Sequence, residues 1–283
     1  MKNFEKGSNV VLEDKNTLVG LFNTFFEVLP VNTLERFQES CQLRYRVYCQ
    51  EAKDSVFDPG DYPEKLEYDL YDKRSVHSLL VHKPSGKIAG TVRIVLPIKG
   101  NSDARFPIEE FAGHSFYPDN ESLKHLQRSQ LGEISRLVIA PEFRMRRGES
   151  LNAQGLTMHT DYSTEYSGQC KSYLPWKDQS PSKSAQRRRF PHTILGLFVA
   201  IVRMSAENDL ACWYALMEPV CERLLQSFGI YFKSISPIVD FHGLRRSYLG
   251  NISDILGLVY HADPEIWTLL TNNGVFFPHP MDS

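Results

Sequence analysis

Arginines and carboxylates that stand among apolar or extended stretches are the residues of this sequence with the clearest chemical potential. A charge removed from water is costly unless an opposite charge accompanies it. If these arginines and carboxylates cluster, their charges balance. The sequence therefore predicts a charge network that either binds the carboxylate of a substrate or holds a loop in place. The members of this set are Arg44, Asp69, Asp72, Arg93, Glu133 and Arg136.

The first of these arginines belongs to a predicted amphipathic helix. The segment from Leu34 to Ala52 has helical periodicity, because larger side chains recur at spacings of three and four. Since Arg44 falls on the apolar stripe, we expect it to meet an acid. The stripe consists of Leu34, Phe37, Cys41, Arg44 and Tyr48.

Three predicted strands carry the other charged residues. Ser75 to His82 and Lys87 to Leu96 are extended by pattern, and the turn residues 83–86 between them predict a hairpin. The third strand, Gly132 to Ala140, ends before a proline. With a period of two, Glu133 and Ser135 share one face of this strand, and Arg136 lies on the other.

The remaining pattern predicts a mixed α/β sheet with helices on both faces. A polar stretch at about 149–190 has few aliphatic residues and is expected to be a flexible insert within one domain spanning 1–283. The other predicted elements are strand Phe22–Val31, helix His192–Asn208, strand Ala211–Met217, helix Pro219–Gly229 and strand Tyr231–Ile238.

Composition excludes several classes of function. A net charge of -2 gives no general attraction to nucleic acid. The five cysteines form no Cys-x-x-Cys pair, so neither a structural metal site nor a disulfide framework is expected. No apolar run approaches the ~20 residues of a membrane helix, and no secretory pattern is visible. We therefore expect a cytoplasmic protein without an integral membrane segment.

Four motifs in series carry a resemblance to known enzymes. They are Leu43–Tyr48, Glu67–Asp72, Gly90–Arg93 and Glu133–Arg136. Together they resemble the acyl-homoserine-lactone (autoinducer) synthases and the long-chain N-acyl amino acid synthases of the GNAT superfamily, over roughly residues 20–240. With the phrase Pro141–Arg147, the chain most resembles acyltransferases associated with PEP-CTERM/exosortase systems. The resemblance implies a GNAT-like acyl-CoA N-acyltransferase fold, in which two central strands splay apart and the acyl donor enters the gap.

Two departures from these relatives bear on substrates. The stretch Lys53–Asp58 lacks the tryptophan that autoinducer synthases place near their acceptor, which disfavours a lactone product. In Arg144–Glu149 the glycine of the pyrophosphate-binding loop is one place late and a second glycine is missing. This favours acyl carrier protein over coenzyme A as the donor. The basic residues proposed to dock the carrier are Arg144, Arg146 and Arg147.

Candidate roles follow for individual residues, and the resemblance places Glu133 at the acidic position of the family. Glu133 is a candidate general base for the attacking amine, with ion pairing to an arginine as the alternative. Ser135 is a candidate for orienting the thioester or water, and otherwise an ordinary small strand residue. The candidate substrate-binding residues are Arg44, Tyr48, Asp69, Asp72, Arg93 and Arg136.

The function implied is transfer of a fatty acyl group from acyl carrier protein to the amine of an amino acid or similar small acceptor. No tightly bound cofactor is expected, since the acyl thioester is a substrate. Two alternatives remain open: a coenzyme A-dependent acetyltransferase, and a non-catalytic protein that binds acylated lipids. The full set of motif residues favours an enzyme over a binder.

Overall fold

The computed structural model describes residues 17–51, 57–101, 103–118, 123, 126–144, 192–240 and 243–279. The predicted insert at about 149–190 lies outside these residues. The helices are α1 (Leu18–Phe25), α2 (Leu34–Tyr45), α3 (Pro107–Phe111), α4 (Thr193–Glu207), α5 (Pro219–Gln226), α6 (Ile252–Ala262) and α7 (Pro264–Thr271). The strands are β1 (Phe26–Pro30), β2 (Ser75–His82), β3 (Lys87–Val95), β4 (Leu131–Ile139), β5 (Cys212–Met217), β6 (Lys233–Ser234), β7 (Val239–Asp240) and β8 (Leu244–Asn251).

The strands form a mixed sheet in the order β1-β2-β3-β4-β5-β8-β6, with β7 beside β8. Only β4 and β5 pair in parallel among the described strands; the other pairs are antiparallel. The prediction of a mixed α/β sheet is therefore confirmed.

The two central strands separate partway along their length. β4 pairs with β5 over Leu131–Ile134 and Cys212–Ala215. Beyond that point β4 stays with β3 as far as Ile139, whereas β5 stays with β8 as far as Met217. The splayed pair expected from the resemblance is thus present, and it opens next to Ser135.

Helices cover both faces of the sheet, as predicted. On one face, α4 packs over β3 so closely that a side chain added at Gly90 would meet Leu197. On the opposite face, Ser40 of α2 is hydrogen bonded at 2.7 Å to Thr91 of β3. The larger apolar core lies on the α4 face and a smaller one on the other face. The smaller core contains Val95, Phe106, Ile108, Ala112, Leu131, Tyr214, Ile235 and Leu249.

Three sequence expectations about elements need correction. Phe22 lies in α1 rather than in a strand, because Thr17 caps the helix and Leu18 and Phe22, four residues apart, are both buried. The predicted strand Tyr231–Ile238 shortens to Lys233–Ser234, and its partner β8 was not predicted. Leu34 is 72% exposed, so the buried stripe of α2 begins later.

The predicted helix Leu34–Ala52 is otherwise close to the structure. After α2, residues Arg46–Glu51 continue as a wider π-helical turn. Turns of this kind are rare in proteins, and those that occur are often found at functional sites. Among the described residues, no helix is both long and apolar enough to cross a membrane.

Candidate active site

Arg44 lies at the centre of a buried charge cluster. Its residue exposure is 0%, and its Nε donates to Glu67 Oε2 at 2.5 Å. Its Nη1 and Nη2 donate to the two carboxylate oxygens of Asp72 at 2.8 and 3.2 Å. Burial opposes the charge of Arg44, but the negative charges and hydrogen bonds of Glu67 and Asp72 together outweigh burial and raise the pKa of Arg44. The predicted meeting of Arg44 with an acid is confirmed.

Arg93 joins the same cluster from β3. Its Nη1 donates to Asp69 Oδ1 at 2.6 Å and to Asp72 Oδ1 at 2.9 Å. Burial would raise the pKa of Asp72, but hydrogen bonds and charge from Arg44, followed by the charge of Arg93, lower it. Both acids stay ionised at neutral pH.

The two aspartates also fix the turn that carries them. Asp69 Oδ1 accepts a hydrogen bond from the backbone N–H of Tyr71, and Asp72 Oδ2 accepts one from the N–H of Asp69. These bonds satisfy N–H groups at the start of the short turn Leu70–Arg74. The acidic segment is therefore folded by the same carboxylates that bind the arginines.

Arg136 reaches the cluster through an irregular backbone. Its φ is 49°, a left-handed value uncommon for a residue with a side chain, and the pairing of β3 with β4 shifts register beside it. The shift breaks the alternation of the strand, so the prediction that Arg136 faces away from Ser135 is wrong. Its Nε donates to Glu67 Oε1 at 3.1 Å and its Nη2 to Asp69 Oδ2 at 3.0 Å.

Glu67 completes the cluster, although neither its spacing nor its neighbours in the sequence distinguish it as a site residue. It is fully buried, with 0% exposure, and contacts both Arg44 and Arg136. The three arginines therefore balance Glu67, Asp69 and Asp72. The expectation that Glu133 supplies the third anion is wrong. The sequence signal for Glu67 is instead its place in the motif Glu67–Asp72.

Glu133 occupies a separate environment on β4. Its side chain lies on the same face as the smaller core, and the residue is 3% exposed. Its Oε2 accepts a hydrogen bond of 2.9 Å from the backbone N–H of Ile108 in α3. It makes no ion pair with any described residue. Burial, only partly offset by that bond, raises the pKa of Glu133 to about 8.

Ser135 connects the two environments. It lies at the first β4 position beyond the pairing with β5, and its Oγ accepts a 2.9 Å hydrogen bond from Arg93 Nε. The acceptor role leaves the hydroxyl proton free to be donated elsewhere. Glu133 and Ser135 are two residues apart on one face, about 7 Å along the strand.

An aromatic wall lies at the exposed edge of the cluster. Tyr48, in the π-helical turn, stacks on Phe57 with ring centroids 5.0 Å apart. The Arg136 guanidinium lies 5.7 Å from the Tyr48 ring and 5.1 Å from the Phe57 ring. At this edge the side chains of Arg136 and Asp69 are 23% and 26% exposed, whereas Arg44 and Arg93 are each 1% exposed.

The motif Gly90–Arg93 begins with glycine because there is no room for a larger side chain at this position. A Cβ at this position would lie 2.7 Å from the backbone oxygen of Val138 and 3.2 Å from Leu197. The first clash is with backbone that cannot rotate away. Gly90 thus allows β3 and β4 to approach beside the register shift that places Arg136.

His77 is a buried neighbour of the cluster that the sequence did not identify. Its Nε2 lies 3.5 Å from Asp72 Oδ1, and its ring meets Phe37 edge-on with centroids 5.5 Å apart. Neither ring nitrogen has a hydrogen-bond partner among the described residues. Burial lowers the pKa of His77 to about 4, so the ring is neutral at neutral pH.

Of the residues expected to dock a carrier protein, only Arg144 is described, and Arg146 and Arg147 lie outside the described residues. Arg144 Nε donates to the backbone oxygen of Ile139 at 3.0 Å, and its Nη2 lies 3.3 Å from Glu51. Glu51 also pairs with Arg46, so Arg144 belongs to a surface ion-pair chain near the end of β4. In the described part of the chain, no group of His, Cys, Asp or Glu could hold a metal ion.

Comparisons with known proteins agree with this architecture. Residues 43–154 match the family model described as Acetyltransferase (GNAT) domain. TofI, in a ternary complex with an inhibitor and MTA, superposes with a TM-score of 0.52 and 16% identity over 86% of this chain and 99% of TofI. FeeM, an N-acyl amino acid synthase from uncultured soil microbes, superposes with a TM-score of 0.50 and 10% identity over 84% of this chain and 95% of FeeM.

A further structure similar to this chain is that of BjaI with MTA, a CoA-dependent acyl-homoserine lactone synthase. Its TM-score is 0.49 at 13% identity, over 90% of each chain. No curated protein matches the sequence. The superpositions on TofI and FeeM show that the chain has the GNAT-like fold expected from its motifs. The matched domain, on this fold, supports an acyltransferase of the GNAT type.

Proposed function

We propose that the protein is an N-acyltransferase that moves a fatty acyl group from acyl carrier protein to the amine of an amino acid or similar small acceptor. The observation that carries the proposal is the position of Glu133. It is a buried carboxylate without an ion pair among the described residues, two residues from the point where β4 leaves β5. A GNAT-like donor gap and a candidate base therefore lie side by side.

The reaction requires one proton transfer from nitrogen and one to sulfur. Glu133, once deprotonated, accepts the proton of the acceptor amine as its nitrogen attacks the thioester carbonyl. The C–N bond forms and the C–S bond breaks, so the products are an amide and a thiol. Ser135 donates its free O–H toward the carbonyl oxygen or the departing sulfur while Arg93 holds its Oγ.

The acceptor is proposed to bind at the exposed edge of the charge cluster. Arg136 and Asp69 are its most exposed members, and they present opposite charges side by side. An amino acid offers the complementary groups: a carboxylate for Arg136 and an amino group that, after losing its ammonium proton to solvent, donates an N–H to Asp69 as a neutral amine. The Tyr48 and Phe57 rings form a wall for the rest of the acceptor. Arg44, Arg93 and Asp72 act beneath this edge by holding Asp69 and the turn in place.

The proposal also covers the acyl donor and the cellular location of the protein. The sequence Arg144–Glu149, which departs from the glycine pattern of a pyrophosphate-binding loop, supports a carrier protein over coenzyme A, with Arg144, Arg146 and Arg147 proposed to dock the acidic carrier. The same fold supports N-acyl amino acid synthesis in FeeM. We also propose a cytoplasmic location and, from the motif resemblance, an association with PEP-CTERM/exosortase systems.

Lipid analysis of producing cells tests this function. Lipids are extracted from cultures overproducing the wild type, E133Q or E207Q and compared by mass spectrometry. E207Q is the matched control, because Glu207 pairs with Arg203 at 2.9 Å on an exposed face of α4. We expect a long-chain amide with the wild type and E207Q but not with E133Q. No new amide in any culture, with unmodified fatty acid bound to the protein, would point instead to a lipid-binding role.

A further inference from the structure

A second ion pair lies next to the backbone partner of Glu133. Arg128 Nη1 lies 2.5 Å from Glu109 Oε1, and its Nη2 donates to Glu109 Oε2 at 2.9 Å. The two side chains are 29% and 16% exposed. This two-point pairing is the strong geometry for a guanidinium and a carboxylate. It joins α3 to the segment that leads into β4.

Glu109 also folds the start of α3. Its Oε2 accepts a 2.9 Å hydrogen bond from the backbone N–H of Phe106, the residue before the helix. The Phe106 ring is fully buried and lies 5.1 Å from the Arg128 guanidinium and 5.4 Å from that of Arg74. One hydrogen bond and two guanidinium groups over the Phe106 ring therefore hold this turn in place.

The fixed turn determines where the Ile108 N–H points. N–H groups in the first turn of a helix have no partner within the helix. That of Ile108 points at Glu133 Oε2, at 2.9 Å. The geometry of Glu133 thus depends on a turn whose shape is set by Glu109 and Arg128.

We infer that Glu109, held by Arg128, is a positioning residue for Glu133: it fixes the turn that binds the Glu133 carboxylate and sets the charge beside it. The inference rests on the proposed role of Glu133 as base. Nothing in the resemblance or in the motif series assigns a role to Glu109 or Arg128.

Several charged or titratable groups face Glu133 from the elements around it. Arg93 on β3 and Arg136 on β4 favour its ionised form, and Glu109 on α3 opposes that form. Tyr71, from the turn after Asp69, and Tyr214 on β5 complete the set, and burial raises the pKa of both phenols, so both are neutral. Among the described groups that face Glu133, Glu109 is the anion, and its ion-pair partner Arg128 partly neutralises it.

Two substitutions change this charge in opposite directions. E109Q keeps an oxygen for the Phe106 N–H, removes the anion and leaves Arg128 unbalanced, which favours ionised Glu133. R128Q leaves the Glu109 charge unbalanced, which disfavours it. We expect the rise of kcat/KM with pH to move down by about 0.5 to 1 pH unit in E109Q and up by a similar amount in R128Q.

The test is the pH profile of kcat/KM for wild type, E109Q, R128Q, E133Q and the surface control E207Q, with each variant's thermal unfolding measured in parallel. Opposite shifts of the pH limb, with E207Q unchanged, support the inference. A purely structural role would lower the rate of both variants without moving the limb, or move both limbs the same way, and would overturn it. If instead E133Q is as active as the wild type, the proposed base fails, which is a separate outcome.

Discussion

Arg93 Nε and Ser135 Oγ are joined by a 2.9 Å hydrogen bond at the position where β4 parts from β5. Through Arg93, the mouth of the gap is tied to Asp69 and Asp72 and hence to α2. The cluster is charge-balanced by Glu67, so Glu133 is left outside it. The site is thus divided into a charge-balanced ionic cluster and Glu133, the buried carboxylate that we propose as the base.

The buried ion pairs of Arg44 predict a large stability effect. R44M removes the cation and leaves Glu67 and Asp72 buried with less compensation, so we expect a loss of about 3–5 kcal/mol in unfolding free energy. The control R46M breaks pairs whose arginine is 43% exposed and should cost at most about 1 kcal/mol. Urea unfolding measures both. Equal losses in the two variants would contradict the central position of Arg44.

Substitution by alanine at Gly90 and at Gly257 should change the stability of the protein in opposite directions. G90A places a Cβ 2.7 Å from the Val138 oxygen and should destabilise the protein by about 1–3 kcal/mol. G257A, within α6, meets nothing within 4 Å and should be neutral or stabilising by up to about 1 kcal/mol. The urea concentration at the midpoint of unfolding, measured for both variants and the wild type, tests this prediction. A stable G90A would show that β3 and β4 do not need this close approach.

Glu133 predicts a specific dependence of stability on pH. Its folded pKa of about 8 is above the ordinary 4.5, so the folded state holds a proton that the unfolded state has lost between these values. This contribution to stability is complete below about 4.5 and is lost as pH rises through about 8. The wild type should therefore lose unfolding free energy between pH 6.5 and 8 relative to E133Q. Parallel curves for the two proteins in that range would rule out a raised pKa.

The Arg136 edge predicts an effect on acceptor binding. R136K keeps the charge but loses the planar fork that contacts Glu67 and Asp69 and faces the rings of Tyr48 and Phe57. We expect the acceptor KM to rise about tenfold, equivalent to about 1.4 kcal/mol, with a smaller change in kcat. R46K serves as the matched control. A lower melting temperature with an unchanged acceptor KM would assign Arg136 a structural role only.

Much of the fold followed from local pattern. The hairpin of β2 and β3, the strand around Glu133 and the amphipathic α2 were predicted because their periodicity and turn residues are strong. Phe22 was misassigned because aromatic and β-branched residues favour strands, whereas the Thr17 cap and burial at spacing four decided for a helix. β8 was missed because its arginines and serine mask the alternation, and its pairing with β5 is set by tertiary contacts.

The sequence predicted which residues belong to the site better than it predicted how they contact one another. The arginines and aspartates were identified, and Arg44 was correctly expected to meet an acid. The position of Arg136 depends on one left-handed residue and a register shift, which a strict period of two excludes. Glu67, rather than the expected Glu133, belongs to the cluster because the loop that carries Glu67 folds back over α2. There the backbone N–H of Glu67 donates to the backbone oxygen of Cys41 at 3.1 Å. Neither feature is encoded in residue spacing.

The most direct test of the account is a reaction of purified protein with an acyl carrier thioester and a mixture of amino acids, followed for thiol release and for amide by mass spectrometry. Acyl-coenzyme A in a parallel arm separates the two donors. For the wild type we predict one amide per thiol released and a rate that rises with pH to about 8, where Glu133 ionises. In E133Q the rate should fall about 100-fold or more across the range. An E133Q rate equal to that of the wild type at every pH, or thiol release without amide, would contradict the account.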